Sequence, residues 1–147
     1  MSGFNPGSIV KMLKNEIPDY IGTYCYKNGT TTPAIAIDNV PNEVQVEGFE
    51  IIVPGFPYIA KGVSRVGRRS HVCQIWNVEF INHDSNKIGT LARKGEFFEM
   101  INHLILLLPR TTQVIPFQQN DPVKSLQRVR LSIKLSDTVE NRLPRIR

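Results

Sequence analysis

From Arg128 to Leu135 polar and apolar residues alternate strictly, Val129, Leu131, Ile133 and Leu135 against Arg128, Arg130, Ser132 and Lys134. Successive side chains of a strand point to opposite faces, so the pattern specifies a strand over Ser125–Leu135 with one wet and one buried face. Ser70 to Asn82 repeats it, with Val72, Trp76, Val78 and Phe80 sharing a side. Two long half-buried strands need a sheet covered on one face only, which favours antiparallel pairing and an apolar layer laid against it.

That layer is legible as two helices. Ile9, Val10, Leu13 and Ile17 recur at helical spacing behind an N-cap at Ser8, or at Asn5 with Pro6 in the first turn, and Pro18 stops the run. A longer helix is expected from Thr90 to Leu108, with Phe97, Phe98, Ile101, Leu104, Ile105 and Leu108 as its apolar stripe and Pro109 after it. Between the helices, Ile21–Tyr26 and Thr32–Asp38 read as a hairpin around Asn28-Gly29. Glu43–Val46 and Phe49–Val53 read as a second pair joined at Glu47-Gly48, and Gln113–Phe117 as a short strand. The expected fold class is α+β, a mostly antiparallel β-sheet with two α-helices packed on one face, in the order α-ββ-ββ-β-α-β-β. Residues 1–136 are expected to form a single domain, with an irregular basic loop at 54–69, and 137–147 an extended basic C-terminal arm.

The chain has 147 residues, 41% of them hydrophobic, enough for one domain with its own core. Its net charge of +5 is unevenly placed. Residues 61–69 carry Lys61, Arg65, Arg68 and Arg69 with no acid, and residues 124–147 carry seven basic residues against Asp137 and Glu140. Charge gathered in this way points to an anionic partner, either nucleic acid or the acidic face of a protein subunit. Alternating arginines also suit an ordinary solvent face. A sheet that grips single-stranded nucleic acid interleaves aromatic residues for base stacking, and none occurs between Phe117 and Arg147.

Motifs for chemistry are sparse. Gly62 to Ser70 has the glycine spacing of a phosphate loop, but Arg69 stands where a magnesium-binding Ser or Thr is required, and a strand is expected next rather than a helix N-terminus. His71, His83 and His103 lack the spacing of metal ligands, and Cys25 and Cys73 match no metal or disulfide motif. Glu96 and Glu99 suit a solvated helix face better than paired acid–base work. Asp84-Ser85-Asn86 opens like a calcium loop, but position twelve is Gly95. The expectation is no enzyme, no cofactor and no metal. The N-terminus has neither the basic flank nor the apolar run of a signal peptide, and no apolar run approaches a bilayer span, so no membrane partner is expected.

One layout runs through the whole chain. A short helix leads into Ile-Gly-Thr-Tyr, then Asn-Gly-Thr-Thr-Thr-Pro-Ala-Ile-Ala-Ile, then Val-Glu-Gly-Phe-Glu-Ile-Ile-Val. A proline/glycine-rich loop, a long strand, an amphipathic helix and a final strand follow. This order resembles the tail terminator (tail-completion, neck) proteins of tailed bacteriophages. The resemblance implies a structural virion protein in the tail or neck, assembled in the host cytoplasm. It implies a homo-oligomeric ring, a hexamer, that stops tube polymerisation and joins the tail to the head. The implied partners are the tail-tube protein, the head–tail connector protein and the sheath, with no specific nucleic acid although DNA passes through the ring. Lys61, Arg65, Arg68, Arg69, Arg142, Arg145 and Arg147 are then the subunit-interface candidates. The alternative is a nucleic-acid-binding module using the same basic loop and arm.

Overall fold

A computed structural model describes residues 5–63, 69–84, 91–116 and 127–140. The first helix, α1, spans Pro6–Glu16. Asn5 is its N-cap: the Asn5 side chain accepts from the Ser8 amide at 2.9 Å, and the Ser8 hydroxyl accepts from the Asn5 amide at 2.9 Å. Of the two caps the sequence allows, the structure therefore uses Asn5 with Pro6 behind it, and Ser8 closes the reciprocal box from the first turn. Ile9 and Leu13, with Ile17 just past the end, are fully buried.

Nine strands form among the described residues, where the expected order has seven, and they distribute over two sheets. A small sheet is built from β1 (Thr23–Tyr26), β2 (Thr31–Pro33) and β4 (Val44–Glu47), in the order β2-β1-β4. The β1–β2 hairpin turns where expected: Gly29 sits at φ 87°, and Asn28 Oδ1 accepts from the Thr30 amide at 3.0 Å. The strand expected over Thr32–Asp38, however, is broken at Ala34 and becomes β2 and β3 (Ile35–Ile37) in different sheets. Pro33 has no amide to extend the β1 ladder. The buried Ala34 instead donates to the Gly22 carbonyl and accepts from the Ile51 amide, both at 2.9 Å, and so links the two sheets.

The second expected hairpin is also corrected. β4 and β5 (Phe49–Val53) do not pair with each other; β4 pairs with β1, whereas β5 pairs with β3 and with a long strand described below. Gly48 at φ 81° is the joint between them. Gly22 faces this joint so closely that a Cβ would lie 2.1 Å from the Glu47 carbonyl oxygen and 2.7 Å from the Phe49 nitrogen. Only glycine lets the backbones approach to this extent. Two tight glycine positions therefore turn one run of strands into two sheets.

The main sheet is organised by β7 (Arg69–Asn82) and β9 (Gln127–Glu140), antiparallel over all fourteen residues from Arg69↔Glu140 to Asn82↔Gln127. On the other side of β7, β5 occupies one half and β6 (Tyr58–Val63) the other. The edges are β3, parallel to β5, and β8 (Gln113–Pro116), paired to β9. Two expectations change here. The region 54–69 is not irregular throughout, because Tyr58–Val63 forms an edge strand. Its pairing uses main-chain groups, which need no alternation of side chains. Of the arm expected over 137–147, residues 137–140 belong to β9, which continues through Glu140 along the length of β7, and 141–147 lie outside the described residues.

Helix α2 spans Leu91–Leu107. Phe97, Met100, Ile101 and Leu104 are buried, and Ile105 and Leu108 pack at the margin of the core. Phe98 corrects the expected stripe: it is 59% exposed, and Met100 takes the inner position instead. The spacing 97, 100, 101, 104 is the i, i+3, i+4, i+7 set, whereas Phe98 lies about 100° round the helix. Both helices lie on one face of the main sheet, against Phe49, Ile51, Val53, Trp76, Val78, Phe80, Leu131 and Ile133. Full burial of each such side chain is worth about 1.5–3 kcal/mol, so this layer supplies most of the driving force.

Candidate interaction surface

On the sheet face opposite the helices, alternation along β5 places a carboxylate, Glu50, within the run Phe-Glu-Ile-Ile-Val. Glu50 is only 2% exposed. The Tyr24 phenol of β1 donates to Glu50 Oε2 at 2.6 Å, and His83 Nε2, just beyond β7, lies 2.7 Å from Glu50 Oε1. Desolvation by burial, followed by the hydrogen bond to Glu50, raises the Tyr24 pKa far above the usual phenol range. The phenol therefore stays protonated and acts as a donor. In the sequence the one hint of this grouping is an acid inside an otherwise apolar strand.

The grouping resembles acid–base machinery in composition but serves as a fastener. Its carboxylate is closed to solvent, both oxygens are engaged, and its members come from β1, β5 and the end of β7, so it ties the small sheet to the large one. A second polar group lies beside it. Arg93 near the start of α2 pairs with Asp84 at 3.3 Å and with Glu96 one turn on, and its guanidinium stands 4.7 Å from the centre of the Phe49 ring. Phe49 in turn meets Phe97 edge to face at 5.2 Å. A polar cleft of about 300 Å³ opens here, lined in part by Asp19, Thr23, Glu47, Asp84 and Arg93. Its arginine already answers the carboxylates of Asp84 and Glu96. Among the described residues, no three His, Cys, Asp or Glu side chains are placed to hold a metal ion.

The basic residues divide between described and undescribed positions. Arg65, Arg68, Arg142, Arg145 and Arg147 lie outside the described residues. Lys61 and Arg69 are described through their backbones: Lys61 pairs with Val72 across β6–β7, and Arg69 pairs with Glu140 at the end of β7–β9. Val63, Ser70 and Val139 are successive partners across that end, so the chain leaves for 64–68 and for 141–147 from the same pole of the sheet. Arg128 and Arg130 occupy the outer face of β9, each 3.4 Å from Glu79 of β7, with Lys134 exposed farther along. Ser132 donates to Asn77 at 3.1 Å between them. His103 is exposed on α2.

The exposed apolar residues concentrate at the two outer edges of the main sheet. Ile37, Val40, Phe56, Tyr58 and Ile59 surround the end of β3 and the β5–β6 turn. Leu106, Leu107, Val114 and Ile115 surround the end of α2 and β8. Of the large apolar side chains exposed among the described residues, only Phe98 lies elsewhere. Such clustering marks contact surfaces. Models of known protein families and curated proteins both gave no match to the chain.

Proposed function

We propose that this chain is a non-enzymatic structural subunit, a ring-forming tail terminator at the head-proximal end of a phage tail. In this reading it stops tube polymerisation and joins the tail to the head connector. The observation that carries the reading is the pair of apolar edges on one sheet: a subunit in a ring needs two unlike contact surfaces, one for each neighbour. The layout of elements along the whole chain supports the family, and the attachment of both basic segments at one pole supports a docking role for Lys61, Arg65, Arg68, Arg69, Arg142, Arg145 and Arg147 toward an acidic protein surface. Electron microscopy of the purified protein, alone and with tail-tube ends, tests the reading. Rings of uniform diameter are expected; a chain that stays monomeric and never adds to a tube contradicts it.

A second reading, a nucleic-acid-binding module, is favoured by one observation: Arg128, Arg130 and Lys134 share the outer face of β9. The same face carries Ile75, Asn77 and Glu79 on β7 and the exposed Tyr58 of β6 opposite Ile75, so among the described residues it offers a single exposed aromatic side chain rather than an interleaved series, and Glu79 offsets part of its charge. Backbone-only binding would fall steeply with salt. A mobility-shift titration at low salt separates the two readings, since the assembly reading expects no shift there.

A further inference from the structure

We propose that the two apolar edges are complementary halves of one self-contact: the Phe56 edge of one copy seats on the α2–β8 edge of a second copy, head to tail. The inference rests on the reading of the chain as a ring subunit and gives that ring its contact. The first edge is a ridge. Asp38 pins it, donating its amide to the Val53 carbonyl at 2.8 Å and accepting the Gly55 amide on its carboxylate at 2.6 Å. Phe56 follows at once and stands 75% exposed, with Tyr58 and Ile59 beside it.

The second edge is concave. A groove of about 270 Å³ runs between α1, the end of α2 and β9, lined by Met12, Leu107, Leu108, Pro109 and Leu135 among others. Leu107, 52% exposed, stands at its mouth. Charge agrees with shape. The ridge presents the exposed carboxylate of Asp38, whereas exposed Arg110 follows Pro109 at the end of the groove, whose lining holds one acid, Glu16. The Thr111 hydroxyl, bonded to the Lys134 carbonyl at 2.9 Å, fastens this edge to β9. Unlike surfaces with opposite charge suit a heterologous contact, and such a contact leaves one ridge and one groove free on every pair until a ring closes.

Side chains, rather than strand addition, carry the contact. The β3 and β8 edges have only three and four residues, β8 ends in Pro116, which offers no amide, and the six-residue β6 edge therefore has no strand of matching length to meet on the groove side. Short edges of this kind resist indiscriminate pairing. Specificity then comes from Phe56 in an apolar pocket flanked by the Asp38–Arg110 charge pair.

The experiment uses two full-length variants, Phe56→Asp on the ridge and Leu107→Asp on the groove, with light-scattering mass as readout. Both positions are solvent-facing, so circular dichroism and thermal unfolding should match the wild type. Each variant alone is expected to be monomeric. Mixed one to one, they should form a species of two chains and nothing larger, because the intact groove of one meets the intact ridge of the other. Asp38→Asn and Arg110→Gln should each weaken wild-type self-association only about two- to fivefold, the range for a rim ion pair. If both variants still form rings, the contact lies elsewhere and this inference fails while the ring-subunit reading stands. If either variant alone remains a dimer, the contact is two-fold rather than head to tail, and the inference fails. A wild-type chain that stays monomeric in solution also overturns it, and the ring-subunit reading then falls only if the chain also fails to add to tail tubes.

Discussion

The Tyr24 phenol and the Glu50 carboxylate meet at 2.6 Å across the junction between the two sheets, with almost no solvent at either group. Removing the hydroxyl leaves a buried carboxylate oxygen without its donor. Tyr24→Phe is therefore expected to lower the unfolding free energy by about 1–3 kcal/mol, measured by urea denaturation. A change within error of zero would show that water or His83 alone satisfies Glu50.

The same contact sets a pH dependence. Burial and the bond to Glu50 raise the Tyr24 pKa above its ordinary value near 10, so between that value and the raised one the folded state holds a proton that the unfolded state has lost. Stability from this group is complete below the unfolded pKa and falls as pH rises above it. Wild-type protein should therefore lose stability more steeply above about pH 10 than Tyr24→Phe. Parallel alkaline profiles of the two proteins would contradict the assignment.

The core prediction uses Trp76, the only tryptophan, which is fully buried beside Ile133 with its indole N–H donating to Gln74 at 3.1 Å. Its emission should be blue-shifted in the folded state and report global unfolding. Leu104→Ala, deep under α2, should cost about 2–5 kcal/mol by that readout. A cost below about 1 kcal/mol would place α2 outside the cooperative core.

Two glycines should respond in opposite senses. Gly22→Ala puts a methyl onto the Glu47 carbonyl and should destabilise by several kcal/mol, about 3 or more, or move the small sheet away from β5. Gly95→Ala, inside α2 with nothing within 4 Å of the new methyl, should stabilise by about 0.5–1 kcal/mol. Thermal unfolding of the two variants side by side checks both signs.

These features differ in how far they could be read from the chain alone. The long strands around Trp76 and Ile133, the Asn28-Gly29 turn and α2 were legible because periodicity and turn chemistry act locally. The distribution of strands between two sheets was not, since it depends on Gly22 passing Glu47 and Phe49, a contact between segments 25 or more residues apart. β6 was hidden for a different reason. Its sequence, Tyr-Ile-Ala-Lys-Gly-Val, carries no alternation of polar and apolar residues, and Pro57 beside it reads as a breaker. The Tyr24–Glu50–His83 fastener was equally hidden, because its three parts lie on separate elements that only the sheet topology brings together. The apolar edges escaped notice as well: Phe56 falls in the expected loop, and Leu106 and Leu107 lie outside the expected stripe of α2. Of the basic interface candidates, the described structure places Lys61 and Arg69 by their backbones alone.

The central claim is that the chain assembles and terminates a tail tube. The most direct measurement is the length distribution of tubes grown from tail-tube protein, imaged by electron microscopy with and without this chain. The account predicts tubes capped at one end by a ring and shorter on average as the chain is added. Tubes of unchanged length with bare ends, at any ratio of the two proteins, would contradict it.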